Sequence, residues 1–225
     1  MSNHSALFTS VLENPADDTT RLVLADLLRE SDDPHEQARG RFLWAGVMVA
    51  HFNRETNPTD PICRSALDEI TASTKQGYPA RCLSLLGLGP SPFSIKDWPW
   101  EITLDQIAVR CGQYEGVFTR GMLSELTLTL GEWYEVGTKA LALWPLDRIV
   151  ITDAPGLIFT ICKSGNEWEL DCGLELEERG VQPTDSDPDL WVIRETYPDR
   201  QSLVKWIARD SEDLMYRLNQ MMEEQ

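Results

Sequence analysis

Histidine and cysteine, the side chains that most often act as bases, nucleophiles and metal ligands, are sparse in this sequence. The histidines are His4, His35 and His51, and the cysteines are Cys63, Cys82, Cys111, Cys162 and Cys172. No Cys-x-x-Cys pair occurs, and HExxH, GxSxG, P-loop and GxGxxG patterns are missing. We therefore expect no metal, no cofactor and no catalytic residues, with reduced and mostly buried thiols.

One pairing of nucleophile and base stays open, between His51 and either Cys82 or Cys111. A reactive thiol needs electropositive surroundings that lower its pKa. This chain is strongly acidic instead, so an unrecognised enzyme is the interpretation that the sequence favours least.

Carboxylates are plentiful, and one group of them is regularly spaced. Glu167 and Glu169 would share one face of a strand, and Glu175, Glu177 and Glu178 follow closely. Such pairs could bind a divalent ion or act as acid and base. A solvated face is the simpler interpretation, since charge runs usually lie in water. We keep these five residues as candidates for contact with a partner.

Asp26 interrupts an otherwise apolar helical stretch. It could pair with Arg21 or Arg29, or cap a neighbouring helix. A structural role is favoured over catalysis, because a buried acid is normally satisfied by partners.

Two large aromatic residues, Trp98 and Trp100, lie in a proline-rich connection. Exposed tryptophans can anchor a partner protein. The alternative is that they fill the seam between a helical part and an α/β part, since exposed tryptophan is costly without a use.

The net charge of −17 narrows the range of partners. A negative field repels phosphate, so we expect no direct binding to nucleic acid or to a membrane and favour another protein with a basic surface. From Lys163 onward there are sixteen acidic residues against seven basic ones. No apolar run approaches the ~18 residues of a membrane-spanning helix, and no signal peptide is recognisable, so we expect a cytoplasmic protein.

Helices are predicted for the N-terminal third. The first would be capped by Ser5 and end at Asn14-Pro15, and Asp17 and Asp18 lie where caps of the second belong. A third would run from His35 to about Asn53, a fourth from Asp60-Pro61, and a fifth from Pro79 to Leu86. Residues 87–100, with two glycines and three prolines, indicate a connection.

The apolar period then changes from that of a helix to that of a strand. Leu126, Leu128 and Leu130 alternate with polar residues, a helix carries Trp133, and Ile149 and Ile151 mark a second strand. Short links predict a right-handed parallel crossover, at a spacing similar to one leucine-rich repeat. A hairpin over 157–170, a strand at 190–193 and a closing helical stretch would follow. The predicted class is α+β: an N-terminal helical bundle (1–90), then a small leucine-rich-repeat-like β-α-β unit with an added hairpin and C-terminal helix (91–225).

Two segments resemble a known family. The first comprises Ala6-Leu7-Phe8, Glu13-Asn14-Pro15-Ala16-Asp17-Asp18, Arg21 to Glu30, Asp33-Pro34 and Ala38-Arg39, and the second is Gly116 to Met122 with the strand and helix that follow. They are similar to the repeat-companion domain of planctomycete-type bacteria and to the entry into its leucine-rich-repeat portion. The resemblance implies protein interaction and no catalytic residues. The sequence departs from the pattern after Asp153, where an acidic hairpin-and-helix ending replaces further repeats.

These observations favour a non-catalytic protein-interaction module, an adaptor or accessory subunit of a larger intracellular assembly. The alternative is an acidic regulator or inhibitor that occupies a basic groove of a partner, where nucleic acid could otherwise bind. The third interpretation is the unrecognised enzyme.

Overall fold

The structure is a computed structural model that describes residues 3–55, 59–78, 80–88, 100–102, 106–111, 114–153, 157–174 and 193–207, together with 216 and 220. The chain forms two compact units, Met1–Glu125 and Leu126–Gln225. Helices come first, then the strands of a mixed sheet and a further helix, which confirms the predicted α+β class.

The first unit contains five helices among the described residues: α1 (Asn3–Glu13), α2 (Asp18–Arg29), α3 (Pro34–Glu55), α4 (Pro61–Lys75) and α5 (Ala80–Leu85). Its strands are β1 (Trp100–Ile102), β2 (Gln106–Cys111), β3 (Tyr114–Thr119) and the start of β4 (Met122–Leu128). Strands β1, β2 and β3 pair antiparallel in chain order, with Ile107 opposite Phe118. The sequence did not predict β1, β2 or β3.

The helix starts follow from their capping side chains. Asp17 accepts hydrogen bonds from the backbone N–H of Thr19 at 2.9 Å and of Thr20 at 3.3 Å, and Asp60 accepts from Ile62 N–H at 2.7 Å. The cap predicted at Asp17 and the helix start predicted at Asp60-Pro61 are confirmed, whereas Asp18, also predicted as a cap, is the first residue of α2. The prediction for Ser5 was wrong: α1 begins at Asn3, so Ser5 lies inside the helix, where its carbonyl accepts from the Thr9 hydroxyl.

The core of the first unit joins helices to the β3–β4 hairpin. One cluster consists of Val11, Leu24, Ala25, Leu28, Leu43 and Met122. The ring of Phe42 on α3 packs edge-on against Phe118 of β3, with centroids 5.8 Å apart. The hairpin turn at Arg120 and Gly121 has positive φ at both residues (52° and 74°), which is the pattern of a type I′ turn.

The sequence-predicted domain boundary lies after residue 90, whereas the two units divide between Glu125 and Leu126. The packing of Phe118 and Met122 against helical residues explains why the hairpin belongs with the helices. The end of β4 belongs to the second unit.

The second unit continues with α6 (Leu130–Leu143), β5 (Arg148–Ile151), β6 (Leu157–Ser164), β7 (Glu167–Leu174), β8 (Ile193–Tyr197) and a helix over 200–207, here α7. Strands are neighbours in chain order, and β5 to β8 pair antiparallel. Thr152 N–H donates to Leu128 carbonyl oxygen at 2.9 Å, which joins the ends of β4 and β5. The predicted β-α-β unit and the β6–β7 hairpin are therefore present.

One detail of that unit differs from expectation. Leu130 was predicted to extend the strand, but it is the first residue of α6. Thr129 caps the helix in a capping box with Glu132, and Leu130 N–H donates to Asp153 at 2.8 Å. The cap ends the strand two residues early.

Aromatic packing and one buried arginine hold the second unit together. Trp133 of α6 stacks on Phe159 of β6 with ring centroids 5.3 Å apart. Arg200 at the start of α7 is buried and donates to the carbonyls of Leu141 and, at 2.6 Å, Trp144. These carbonyls lie at the end of α6, where helices leave acceptors unsatisfied, so the guanidinium closes α6 and fixes α7 against it.

Within the part of the chain that the structure describes, no helix combines the length and the apolar character needed to cross a membrane.

Candidate functional site

Helix α2 carries apolar residues on two sides, and the core of the first unit uses one side. The buried residues of α2 are Arg21, Leu24, Ala25 and Leu28. A second stripe, two positions further along from each of these, contains Val23, Asp26, Leu27 and, directly after the helix, Glu30. A helix that is apolar on more than one side normally packs against more than one neighbour. The second stripe is therefore a candidate binding surface.

The second stripe of α2 forms a groove with α1, called here the α1–α2 groove. Its volume is about 530 Å³, and it is lined by Ala6, Leu7, Val23, Asp26, Leu27 and Glu30. Val23 is 49% exposed, so a large apolar side chain in the middle of the groove faces solvent. The groove is thus apolar along its floor, with two carboxylates from α2 on its rim.

Asp26, which the sequence singled out, belongs to this rim. Its carboxylate lies 3.4 Å from the Arg29 guanidinium, with side-chain exposures of 69% and 46%. Arg29 was one of its two predicted partners, but the premise that Asp26 is buried was wrong. An ion pair this exposed contributes little to stability, so Asp26 stays accessible to other cations. The Arg29 guanidinium also lies 5.7 Å from the centre of the Trp44 ring.

Arg21, the other predicted partner, has a different position. It is buried and donates to the Pro15 carbonyl through Nε (3.1 Å) and Nη2 (2.7 Å), and to the Arg120 carbonyl through Nη1 (3.2 Å). Arg120 in turn places its Nε 3.5 Å from Asp18. These contacts join the α1–α2 link to the β3–β4 turn and so fix the angle at which α1 and α2 form the groove.

The Arg21 contacts also bring together the two segments that carry the family resemblance. Pro15, Asp18 and Arg21 belong to the first segment, and Arg120 belongs to the second. The sequence had placed them in different domains. In the structure they pack within one unit.

A second surface lies in the other unit, on strand β7. Glu167 is exposed and Glu169 is half-buried. The alternating residues Trp168 and Leu170 are buried. The predicted placement of both glutamates on one outward face is therefore what the strand shows. Exposed Cys162 on β6 is opposite Glu169, with Sγ 3.9 Å from the carboxylate. Asp171 extends the row, opposite Arg194 of β8.

The remaining predicted contact residues are only partly described. Trp98, Glu175, Glu177 and Glu178 lie outside the described residues. Trp100 is the first residue of β1, and its backbone pairs with Val109 of β2.

Of the two thiols considered as nucleophiles, Cys82 is buried, and the side chain of Cys111 lies outside the described part of the chain. Burial raises the pKa of Cys82 to about 11, with a smaller opposing contribution from its hydrogen bond with Tyr78. Burial likewise raises the pKa of Cys172 to about 12. A thiol with so high a pKa is protonated at neutral pH and is a poor nucleophile. For Cys111, the described part is the backbone, which belongs to β2.

Two histidines, His35 and His51, have described side chains. His35 at the start of α3 shares a 2.9 Å contact between its Nδ1 and the Arg81 guanidinium of α5. His51 is exposed on α3. Among the described residues, no group of three His, Cys, Asp or Glu side chains is arranged to hold a metal ion.

Comparison of the chain with protein-family models, with curated proteins and with solved structures finds no match.

Proposed function

We propose that this protein is a non-catalytic interaction module that serves as an adaptor or accessory subunit of a larger assembly. The observation that carries the proposal is the α1–α2 groove, an apolar floor open to solvent on a helix whose other side already supplies the core. Exposed apolar surface rimmed by polar side chains is a common feature of association sites.

The composition of the groove favours binding over chemistry. Its lining consists of four apolar side chains and two carboxylates, with no Ser, Cys, Thr, Lys or His among them. A catalytic site needs a nucleophile or base held by an orienting group. Asp26 instead points into solvent beside Arg29.

The family resemblance is part of the same proposal. We treat the first unit as a repeat-companion-like module, supported by the contact of Arg21 with Arg120, which makes one packed body of the two segments. A cytoplasmic location is also proposed, because Cys63, Cys82, Cys162 and Cys172 are free thiols, as is usual in a reducing compartment.

A second candidate function, the acidic regulator of a basic partner, is favoured by β7. Glu167, Glu169 and Asp171 succeed one another along one face at intervals of about 7 Å. That spacing is close to the one between phosphates along a nucleic-acid strand, so a basic groove could accept the row.

The experiment for both candidates is co-purification of the tagged full chain from native cells, followed by mass spectrometry at low salt and at about 0.5 M salt. Apolar anchoring predicts a partner that stays bound at high salt. Electrostatic regulation predicts a partner that dissociates and is lost from E167K/E169K. If no protein co-purifies stoichiometrically under either condition, both proposals fail.

A further inference from the structure

We propose that the α1–α2 groove binds a single amphipathic helix of a partner protein, one whose apolar stripe is flanked by lysine or arginine. This inference rests on the proposed function and names the chemistry of the partner. Recognition of a helix in a groove relies on apolar anchors at i, i+3, i+4 and i+7 of the bound segment.

The apolar residues of the groove have the spacing that a bound helix requires. Val23 and Leu27 are one turn apart on α2, and Ala6 and Leu7 face them from α1. Two helices side by side present rows of side chains and the grooves between them, into which the side chains of a third helix can pack. The volume of about 530 Å³ matches a few apolar side chains, not a whole small protein surface.

The carboxylates of Asp26 and Glu30 give the groove its charge complementarity to a basic helix. They are also one turn apart, on the same side as Val23 and Leu27. Asp26 has Arg29 at 3.4 Å, but this pair is so exposed that a cation on the bound helix can compete for the carboxylate. A partner with basic residues one turn apart would meet both carboxylates, and the net charge of −17 would speed its approach.

The same charges disfavour two other occupants. Residues 208–225 of this chain include five carboxylates against two arginines, so they would bring like charge to the rim. A second copy of α2 would place Asp26 and Glu30 against their own equivalents. Both arrangements oppose negative charge to negative charge, which costs affinity.

The groove is also held in shape before binding. Asp17 caps α2, and Arg21 fixes the α1–α2 link to the β3–β4 turn. A preformed site loses less conformational entropy on binding, so a short helix can bind with useful affinity.

The test uses the full chain and a designed helical peptide of about 18 residues with leucines at i, i+3, i+4 and i+7 and flanking lysines. Its affinity is measured by fluorescence anisotropy. Two control peptides keep the length: one has the same composition with the leucines shuffled, and the other has glutamate in place of lysine. We expect the patterned lysine peptide to bind at least about tenfold more tightly than either control.

Matched variants of the protein locate the site. Val23→Glu should weaken binding about tenfold or more. Leu85→Glu, at an apolar helical residue of the same unit that is 58% exposed and outside the groove, should leave binding unchanged. D26K/E30K should reverse the preference so that the glutamate peptide binds better, whereas E167K/E169K on β7 should not.

Several results would overturn the inference: equal binding of patterned and shuffled peptides, no binding of any peptide at about 1 mM, or equal effects of V23E and L85E in variants that melt like the parent. A dimer in light scattering that V23E abolishes would assign the groove to a second copy. If V23E still retains the native partner in co-purification, the groove assignment fails while the proposed function stands.

Discussion

The two units join helix to strand in opposite ways. In the first, α3 meets the β3–β4 turn through glycines: a Cβ on Gly46 would collide with the backbone of Gly121, and one on Gly121 would lie 2.5 Å from Leu43 Cα. In the second, α6 meets β6 through the stacked rings of Trp133 and Phe159. Gly137, one turn along, leaves room for the Trp133 ring.

This difference indicates which kind of substitution should destabilise each unit. A contact between backbones has no side chain to rearrange, so any added atom must move an element. A contact between rings tolerates small additions but loses a large buried area when one ring is removed. The first joint should therefore fail by overpacking and the second by truncation.

The largest effect is expected from truncating the aromatic joint. Trp133→Ala should lower the free energy of unfolding of the second unit by about 3–5 kcal/mol, because it leaves a cavity over Phe159. Urea unfolding measures the loss, and hydrogen exchange should show it in β6 and β7. Tyr134→Ala, at the next residue and 44% exposed, is the control. Equal losses from the two changes would mean that the stack does not hold α6.

A smaller effect, with opposite signs in the two units, is expected at helical glycines. Gly46→Ala should destabilise the first unit by about 1–3 kcal/mol through overpacking against Gly121. Gly131 lies in the first turn of α6, and a Cβ added there would meet no neighbouring side chain or element within 4 Å. Gly131→Ala should therefore stabilise the second unit by up to about 1 kcal/mol. Thermal and urea unfolding give both signs. Stabilisation by Gly46→Ala would contradict the close approach of α3 and the turn.

The smallest effect concerns the pH dependence of stability. Asp17 caps α2 in the first unit, and in the second unit Asp199 accepts hydrogen bonds from the backbone N–H (2.7 Å) and the hydroxyl (3.0 Å) of Ser202 at the start of α7. Hydrogen bonds from the Thr20 side chain and then its backbone lower the pKa of Asp17, and bonds from the Ser202 backbone and then its side chain lower the pKa of Asp199. A carboxylate with a lowered folded-state pKa stabilises above its unfolded value, about 3.9, and this stabilisation is lost as pH falls through the folded pKa.

Unfolding followed from pH 7 to pH 2 measures the contribution of each cap. Asp17→Asn keeps a capping side chain but does not titrate, so it should flatten the acid end of the profile for the first unit alone. Asp199→Asn should do the same for the second unit. An unchanged acid slope in both variants would assign the acid sensitivity to other carboxylates.

Much of the fold followed from local patterns. The cap at Asp17, the helix start at Asp60-Pro61, the β-α-β unit through α6 and the β6–β7 hairpin depend on residues close in sequence, where chemistry and spacing are direct signals. Strands β1 to β3 were missed because their partners are chosen by packing. Gly116, a residue that usually indicates a loop, lies in β3, where an added Cβ would be only 3.0 Å from the end of the Leu83 side chain.

The sequence predicted only part of the candidate site. Alternation correctly predicted the shared face of Glu167 and Glu169. The apolar residues of α2 were visible too, but periodicity does not say which stripe the core will use, so Asp26 was expected among buried neighbours. The role of Arg21 had no local signal, because its acceptor at Arg120 is 99 residues away.

That distance has a consequence for synthesis on the ribosome. At about 5–20 residues per second, the Arg120 carbonyl emerges about 5–20 seconds after Arg21 does. During this delay the nascent helices have no hairpin turn to receive the guanidinium, which must stay hydrated. A polypeptide released at residue 90 would be left permanently in that state, with its apolar surface available to chaperones.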